Sequence, residues 1–266
     1  MQIWLTGASG FLGRAVSREA AQYGHDIATL TRRPDNQGWV DPIPKDATCI
    51  HLAADNIVTQ TDDNADSIVA QSQALVDGLL RADVGRIVFA SSAAVYGDRD
   101  ERPHSETDPP RPQGRYAKAK VAVERLLALA GGHAWARIAN VYGPGMSAAN
   151  VLSDCLAQLD GDGPIVVRDP NPVRDYIHVS DVARGLLALA LSQHTGAMNL
   201  GTGVGTSVAD LVTLLLVVAG QTDRAAPTAN AAGSSLMLDP GLAQRKTGWR
   251  AEISLQNGLR ELVHGS

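Results

Sequence analysis

The stretch "TGASGFLG", residues 6–13, stands near the beginning of the chain and decides the expected fold. It follows a short apolar run that predicts a β-strand, and a helical pattern over residues 11–23 overlaps its end. Glycines at such a junction permit a tight turn close to a pyrophosphate, and the start of the helix offers free N–H groups with a positive dipole end. The junction therefore predicts a dinucleotide-binding turn. The residues expected to contact the dinucleotide are Gly7, Gly10, Phe11, Leu12 and Gly13.

Short apolar runs alternate with helical patterns through the first half of the chain. Runs such as "QIWLT", "DIATLT", "ATCIHLAA" and "RIVFASS" predict strands, and helical patterns cover residues 11–23, 66–81 and 115–130. The runs show little polar alternation, which is typical of strands buried on both faces. Strands that alternate with helices predict an α/β fold with a doubly wound parallel sheet of the Rossmann type.

The composition of the sequence changes after Asn140, where Gly, Pro and Asp become frequent. We expect residues 1–145 to form the dinucleotide-binding domain, with segments near 174–203 returning to it. Residues 146–266 are expected to form mainly a small substrate-binding lobe and the C-terminal helices. The helical patterns in this half cover residues 150–159, 179–191 and 207–219.

The composition argues against several broad classes of protein. The chain has 266 residues and a net charge of −5 without a basic run, which argues against nucleic-acid binding. Its longest aliphatic run, "LVTLLLVVAG", is too short to span a bilayer, so no membrane partner is expected. Cys49 and Cys155 lie in no metal-ligand spacing, so we expect buried thiols and no metal site. No secretory signal is visible, and a reducing, cytoplasmic location is expected.

The residues after the second predicted strand bear on the choice of dinucleotide. An NAD site usually has Asp or Glu there, to bind the ribose hydroxyls. Here Thr31, Arg32 and Arg33 stand instead, and arginine pairs well with a 2′-phosphate that a carboxylate would repel. We therefore expect these three residues to contact the cofactor, and NADP(H) to be favoured over NAD(H). The alternative is that the arginines are solvated surface and that NAD is held less specifically.

Two further motifs contain polar residues that could form a catalytic site. "FASSAAVYG" places serines at the end of a predicted strand, the edge where ligands bind in such sheets. "RYAKAK" then places Tyr116 and Lys120 four residues apart, on one face of a helix. An isolated pair of this kind would be helix surface, but the glycine turn and the strand-end serines before it indicate a catalytic site. A cation one turn away favours a phenolate, which can accept a proton.

The chain resembles an extended short-chain dehydrogenase/reductase of the NAD-dependent epimerase/dehydratase type, typified by nucleotide-sugar enzymes. The resemblance runs nearly from end to end, and each short motif stands in the family's order. Besides the glycine turn, the motifs are "HLAA" (51–54), "SSAAVYG" (91–97), Tyr116 with Lys120, "NVYGPG" (140–145), "RDYIHVSDVA" (174–183), "NLGTG" (199–203), "LDP" (238–240), "GW" (248–249) and "SLQNGL" (254–259).

The resemblance implies roles for the polar residues of the site. Tyr116 would be the acid/base, Lys120 would lower its pKa and hold the nicotinamide ribose, and Ser92 would hydrogen-bond the reacting oxygen. Arg174 would grip a substrate diphosphate, unless it forms a salt bridge with Asp175 or Asp181. The further cofactor contacts implied are Leu52, Ala53, Ala54, Tyr116 and Lys120, and the substrate contacts are Ser92, Ala93, Asn140, Asn150 and Arg174.

Other ionisable residues are expected to be structural. His51 and His178 are predicted to be core or strand-end histidines, and Glu124, one turn beyond Lys120, is predicted to be a helix-surface charge. The resemblance also implies a homodimer built on the two helices at 66–81 and 115–130. The apolar residues that would form that contact, or would instead pack on the chain's own sheet, are Leu75, Leu79, Val123 and Leu127.

The expected reaction is hydride transfer at a secondary alcohol or ketone carbon, C4 of a nucleotide-activated sugar, with the chain acting as a ketoreductase. An NAD-dependent 4-epimerase is the alternative if NAD stays bound through each cycle. Dehydration is disfavoured, because the acid pair that follows the serine in the family's dehydratases is here Ala93 and Ala94. The family's second diphosphate arginine does not occur in "ANAAGSS" (229–235), which leaves open a reductase of an unactivated sugar or small ketone. A non-catalytic dinucleotide-binding module is a further alternative.

Overall fold

The computed structural model describes residues 2–30, 43–52, 65–98 and 100–265. Within these ranges the strands are β1 (Gln2–Thr6), β2 (Asp26–Leu30), β3 (Thr48–His51), β4 (Arg86–Ala90), β5 (Ala134–Ile138), β6 (Asn140–Tyr142), β7 (Val173–His178), β8 (Gly196–Leu200), β9 (Gly205–Ser207) and β10 (Ser235–Leu236). The helices are α1 (Phe11–Gln22), α2 (Ala65–Arg81), α3 (Gly114–Ala130), α4 (Val151–Ala157), α5 (Val179–Leu191), α6 (Val208–Val218), α7 (Gly241–Thr247) and α8 (Leu255–His264), and a short 3-10 helix covers Ala93–Tyr96.

In the described part of the chain, six parallel strands form the main sheet in the order β2-β1-β3-β4-β5-β8. β1 pairs with β2 on one side and with β3 on the other, so the direction of winding reverses at β1. The register places Thr6 beside both Leu30 and His51, which brings three carboxyl ends to one edge. Open α/β sheets bind ligands at such a reversal. The predicted doubly wound parallel sheet is confirmed.

Helices cover both faces of the main sheet. α1 and α5 pack together on one face, and α2 and α3 pack on the other. β5 illustrates the pattern, because all five of its residues are buried. Ala134, Ala136 and Ile138 belong to the apolar cluster under α1 and α5, whereas Trp135 belongs to the cluster under α2 and α3. Side chains that alternate between two buried faces explain why β5 is apolar at every position except Arg137.

The apolar residues considered for a dimer contact are engaged within the chain. Leu79, Val123 and Leu127 are buried in the cluster between the main sheet and the α2–α3 layer. Leu75 is partly buried and lines a cavity described below. Three of the four therefore take the alternative in which they pack on the chain's own sheet, and the homodimer stays a prediction.

A second, smaller sheet lies in the C-terminal half. β10, β7 and β6 pair in parallel, and β9 joins β7 in the antiparallel sense. Helices α4, α6 and α8 pack around a separate apolar cluster that includes Leu152, Tyr176, Leu215 and Leu259. The chain leaves this region after β7, passes through α5, and returns to the main sheet as β8 beside β5. The two sheets thus meet where β5 gives way to β6.

Both cysteines are buried free thiols, as predicted. Burial raises the pKa of the Cys49 thiol to about 12 and that of Cys155 to about 11, so neither carries appreciable thiolate at neutral pH. In the ranges given above, none of the helices combines the length and apolar character needed to cross a membrane.

Candidate active site

The glycine turn joins β1 to α1 in a conformation that requires glycine at two positions. Gly7 has a φ of +71°, in the left-handed region. A Cβ on Gly13 would lie 2.1 Å from the carbonyl oxygen of Gly7, so any larger residue would collide with backbone. Gly10, the N-cap of α1, supplies no side chain to the first-turn N–H groups, and that turn holds no acidic residue. The start of α1 therefore fits an anionic group such as a pyrophosphate.

A cavity of about 810 Å³ joins this turn to the predicted catalytic residues. Its described lining includes Gly10, Leu52, Ser92, Tyr116 and Lys120, at the edge of the main sheet where the winding reverses. The volume lies within the range of roughly 300–1,000 Å³ that is typical of small-molecule and cofactor sites. The structure thus brings the glycine turn, the strand-end serine and the Tyr–Lys pair into one space.

Tyr116 lies in the first turn of α3 and is 40 % exposed. The pKa of its phenol is raised above 10, because the surrounding protein disfavours the charged phenolate. The Ser92 hydroxyl acts in the opposite direction and lowers that pKa. In this state Tyr116 is therefore a neutral phenol at physiological pH, able to donate a proton to an oxygen in the cavity.

Lys120 is buried one helical turn beyond Tyr116. Its Nζ donates to the carbonyl oxygen of Ala90 at 2.7 Å and lies 5.5 Å from the centre of the Tyr116 ring. Burial lowers the pKa of Lys120 to about 8, and the charge of Glu124 opposes that shift. The ammonium is thus held by the end of β4 rather than by the phenol oxygen. That Lys120 lowers the pKa of Tyr116 when the cofactor is bound stays a prediction.

The two adjacent serines at the end of β4 have different surroundings. Ser92 is partly buried, and its Oγ accepts a hydrogen bond from the Ala94 N–H at 3.2 Å, so it caps the short 3-10 helix. The Ser91 Oγ instead donates to Glu124 at 2.5 Å in the interior. Ser92, with its effect on the Tyr116 pKa, is therefore the serine placed beside the tyrosine, which supports the choice of Ser92 over Ser91.

Glu124 corrects one expectation from the sequence. It is only 3 % exposed, not a helix-surface charge, and its carboxylate forms a salt bridge of 2.7 Å with Arg137. The face of α3 that carries Lys120 packs on the main sheet, so a residue four positions further along that face is buried too. The lone charge in the apolar run "AWARIAN" of β5 was the available signal, because a buried arginine requires a partner.

The predicted substrate residues divide into two groups. Asn140, which begins β6, and Asn150 both line the cavity. Asn150 also caps α4, since its side-chain oxygen accepts from the Ser153 N–H at 3.0 Å. Ala93 is buried, at 3 % exposure, and lies outside the described lining of the cavity. A direct substrate contact is therefore better supported for the two asparagines than for Ala93.

Arg174 also lies outside the described lining of the cavity. Its guanidinium donates to the Ser234 carbonyl and hydroxyl oxygens, each at 2.8 Å, and lies 3.5 Å from the Asp98 carboxylate. The salt-bridge alternatives named from the sequence, Asp175 and Asp181, are wrong. Asp175 accepts from backbone and hydroxyl groups near residue 202, and Asp181 pairs with Arg184. A role for Arg174 at a diphosphate stays a prediction.

Several predicted cofactor contacts fall outside the described residues, and others are in place. Leu52 lines the cavity, and its N–H donates to Thr6 Oγ1 at 3.1 Å, which ties the ends of β1 and β3 together. His51 and His178 are 1 % and 2 % exposed, so both are core histidines as predicted. The predicted contacts that lie beyond the described ranges are Thr31, Arg32, Arg33, Ala53 and Ala54.

Nine of the described lining residues were not among the predicted site residues: Ser9, Leu75, Ala90, Ser91, Ile138, Ala139, Val141, Met146 and Ser147. Ser9 belongs to the glycine turn itself, and Leu75 reaches the cavity from α2. Met146 and Ser147 follow directly on the quoted motif "NVYGPG", so extending that motif by two residues would have found them. They stand between Asn140 and Asn150 on the C-terminal side of the cavity.

The sequence matches the family model described as "NAD dependent epimerase/dehydratase family" over residues 3–201. The chain belongs to this family. The matched span runs from β1 to the end of β8 and includes the glycine turn, Ser92, Tyr116 and Lys120. The enzyme class expected from the sequence is confirmed.

Curated relatives of this epimerase/dehydratase-family chain match it over most of its length. A putative UDP-glucose 4-epimerase of Methanocaldococcus jannaschii is 28 % identical over 98 % of this chain and 97 % of its own. A dTDP-4-dehydro-6-deoxyglucose reductase of Escherichia coli is 27 % identical over 81 % of this chain and 73 % of its own. The relatives thus include both an epimerase and a reductase.

A solved relative shares the two-sheet architecture of this epimerase/dehydratase-family chain. The UDP-glucose 4-epimerase of Thermotoga maritima, solved with UDP-glucose, is 25 % identical. The two structures superpose with a TM-score of 0.81. The match covers 100 % of this chain and 98 % of the Thermotoga maritima chain.

Proposed function

We propose that the protein interconverts the C4 epimers of a nucleotide-linked hexose, with a bound NAD(P) cofactor. The observation that carries the proposal is the single cavity that holds the glycine turn together with Ser92, Tyr116 and Lys120. Two relatives that match nearly the whole chain are named as UDP-glucose 4-epimerases. These comparisons favour the 4-epimerase, which stood second in the sequence analysis, over the ketoreductase that stood first.

The edge of the main sheet would hold the cofactor. The N–H groups at the start of α1 would bind its pyrophosphate, and Lys120 would hold the nicotinamide ribose. A bound nicotinamide supplies a hydride acceptor that can return the hydride to the same carbon. The NADP(H) preference inferred from Arg32 and Arg33 remains a prediction from the sequence.

Tyr116 would move the proton that accompanies the hydride. It would take the proton of the C4 hydroxyl as C4 is oxidised and return it when C4 is reduced from the opposite face. The phenol is neutral in the present state, so the first step requires its pKa to fall. The positive charge of Lys120, 5.5 Å from the ring, favours the phenolate. Ser92 would hydrogen-bond the same sugar oxygen.

Elimination of water is not part of this proposal. Ala93 and Ala94 follow Ser92 directly, and a methyl group has no proton to give to a leaving hydroxyl. Ala93 is moreover buried outside the described lining of the cavity. The site therefore supports oxidation and reduction at C4 without a dehydratase step.

A ketoreductase acting on a nucleotide-linked keto-sugar is the second candidate. The reductase from Escherichia coli among the relatives favours it, as does the Arg32–Arg33 pair, since a net reductase draws on NADPH. An epimerase regenerates its cofactor in each cycle and has no need of the NADPH pool. The two candidates share Tyr116, Lys120 and Ser92 and differ in whether reducing equivalents are consumed.

A paired assay separates these candidates. The purified protein is incubated with UDP-galactose, with or without added NAD, and UDP-glucose is measured by chromatography. The proposal predicts a mixture of the two sugars with no net change in NADH, and interconversion by Tyr116→Phe that is slower by about 10²–10⁴-fold. Steady oxidation of NADPH by dTDP-4-dehydro-6-deoxyglucose, without interconversion of the UDP-sugars, would replace the epimerase by the ketoreductase. Turnover of free sugars or simple ketones alone would favour an unactivated substrate.

A further inference from the structure

A buried ion pair lies next to the catalytic segment without touching the cavity. Glu124 on α3 and Arg137 on β5 have side chains only 4 % and 5 % exposed. Arg137 Nη2 donates to Glu124 Oε2 at 2.7 Å, and its Nε donates to Oε1 at 3.2 Å. Neither residue has a role in the proposed proton or hydride transfer, although both are fully removed from solvent.

The carboxylate of this pair holds the beginning of the segment that carries Ser92. Ser91 Oγ donates to Glu124 Oε1, and Ser91 immediately precedes Ser92. The residue before it, Ala90, accepts the hydrogen bond from Lys120. Two successive residues at the end of β4 are therefore attached to the same face of α3, the helix that also carries Tyr116.

The guanidinium of the pair holds the end of the same segment. Arg137 Nη1 donates to the Tyr96 hydroxyl at 2.9 Å, and the guanidinium carbon lies 4.7 Å from the centre of the Tyr96 ring. Tyr96 is the last residue of the 3-10 helix that Ser92 caps. Its hydroxyl donates in turn to the side-chain oxygen of Asn199 at 2.8 Å. Ser92 thus stands between two points that are fixed to one ion pair.

We propose that Glu124 and Arg137 are positioning residues that hold segment 91–96 at both ends and so fix the Ser92 hydroxyl beside Tyr116. The expected effect on turnover rests on the proposed function, in which Ser92 binds the reacting oxygen. The positioning of segment 91–96 by the ion pair does not depend on that function. A buried ion pair adds little net stability compared with a well-packed apolar pair. We therefore infer that this pair serves to position segment 91–96 rather than to stabilise the fold.

The test removes the two hydroxyls rather than the charges. Glu124→Ala would leave Arg137 charged and unpaired in the interior and would endanger folding. Ser91→Ala releases the beginning of the segment and Tyr96→Phe releases its end, and both leave the ion pair intact. Ser192→Ala is the matched control, because it deletes a serine hydroxyl just past the end of α5, which donates to the Leu189 carbonyl at 2.9 Å and accepts from the His194 N–H at 3.2 Å.

The first readout is amide hydrogen exchange, which requires neither cofactor nor substrate. The Ala94 N–H donates to Ser92 Oγ, so its exchange reports whether that cap is held in place. We expect Ala94 to exchange about tenfold faster in Ser91→Ala and in Tyr96→Phe, and faster still in the double variant. Amide exchange in α1 should not change in any of these variants. Exchange of the Ala94 amide should not change in Ser192→Ala.

The second readout is the turnover of UDP-galactose. The double variant should lose about tenfold or more in kcat while its KM stays within about twofold, because a displaced hydroxyl impairs the reacting geometry more than binding. Ser91→Thr, which restores a hydroxyl, should recover most of the kcat lost in Ser91→Ala. A wild-type protein that does not act on UDP-galactose would count against the proposed function, and the exchange experiment would then decide the positioning role alone.

Two results would overturn the inference. One is unchanged Ala94 exchange in the double variant, which would show that the ion pair does not hold the segment. The other is faster exchange with an unchanged kcat in an active enzyme, which would show that the hold has no part in placing Ser92.

Discussion

The wall of the cavity that the main sheet forms carries Ser92, Tyr116 and Lys120, whereas the wall on the C-terminal side carries Asn140, Met146, Ser147 and Asn150. A buried network of charges and hydroxyls begins at Ser91, in the lining itself, and runs behind the first wall through Glu124 and Arg137 to Asn199. Among the described residues that line the cavity, Lys120 alone is charged.

This contrast separates the chemistry from the choice of substrate. The main-sheet wall has titratable groups whose pKa values burial has shifted, as a site for proton transfer requires. The C-terminal wall offers amide, hydroxyl and thioether groups that suit the recognition of sugar hydroxyls and apolar faces. Changes to the first wall should therefore alter kcat, and changes to the second should alter mainly KM.

The largest effect is expected from Tyr116→Phe. The substitution removes the phenolic hydroxyl that moves the C4 proton, so kcat for UDP-galactose should fall by about 10²–10⁴-fold. The ring that faces the cavity remains, so NADH binding, measured by fluorescence titration, should change little. Substantial turnover by the variant would assign the proton transfer to another group. It would then contradict the conclusion that the main-sheet wall carries the chemistry.

Gly13→Ala should be nearly as damaging, through cofactor binding rather than proton transfer. Its Cβ would lie 2.1 Å from the Gly7 carbonyl oxygen, so α1 and the glycine turn must move apart. We expect the Kd for NADH to rise by about 100-fold, a loss near 3 kcal/mol. Gly163→Ala is the matched control, because no atom lies within 4 Å of the added Cβ. Equal NADH affinity in both variants would mean that the turn does not bind the cofactor.

Lys120→Met should lower kcat and at the same time change how stability depends on pH. Burial places the pKa of Lys120 at about 8 in the folded protein, below its value near 10.4 in the unfolded chain. Between these values the unfolded state binds more protons, so the wild-type free energy of unfolding should rise with pH, relative to the variant, by an amount on the order of 3 kcal/mol.

Urea unfolding of wild type and Lys120→Met between pH 7 and about 10 measures this difference. Lys118→Met is the control for the loss of a lysine from this helix, since Lys118 is exposed. Parallel curves for wild type and Lys120→Met would contradict a lowered Lys120 pKa.

The smallest effect is expected from Arg174→Ala, which probes the C-terminal side of the molecule. If its guanidinium serves a diphosphate as the resemblance implies, KM for UDP-galactose should rise by about tenfold with kcat unchanged within about twofold. Arg168→Ala, at an exposed position in the same lobe, should change neither constant. An unaltered KM would leave Arg174 as the residue that fastens β7 to Ser234 and Asp98.

The main sheet was predictable because its strands are mostly apolar runs of four or five residues that alternate with helical patterns, and its first turn has glycines where backbone approaches backbone. The strands of the smaller sheet were not, since β6, β9 and β10 have only two or three residues and show no alternation. α8 was quoted from the sequence as a motif but not predicted as a helix, because Gly258 interrupts its pattern. That glycine is required, since a Cβ there would lie 2.2 Å from the Tyr142 hydroxyl.

The site was predictable to the extent that its motifs are local in sequence. Tyr116 and Lys120 are one turn apart, and Ser92 comes two residues after the end of β4, so all three could be placed from the sequence. Glu124 could not, because its partner Arg137 comes from the next strand along the chain and only the folded sheet brings them within 2.7 Å. The same applies to Arg174, whose partners are 60 and 76 positions away.

The most direct test of the central claim follows the hydrogen at C4. UDP-galactose that carries deuterium at C4 is incubated with the enzyme, and the UDP-glucose formed is analysed by NMR and mass spectrometry. The proposed function predicts UDP-glucose that keeps its deuterium at C4, because the hydride leaves and returns to one carbon within the cavity, and it predicts that Tyr116→Phe forms this product about 10²–10⁴-fold more slowly. Loss of the deuterium to solvent, or the absence of UDP-glucose alongside NADPH-dependent reduction of a 4-keto-sugar, would contradict it.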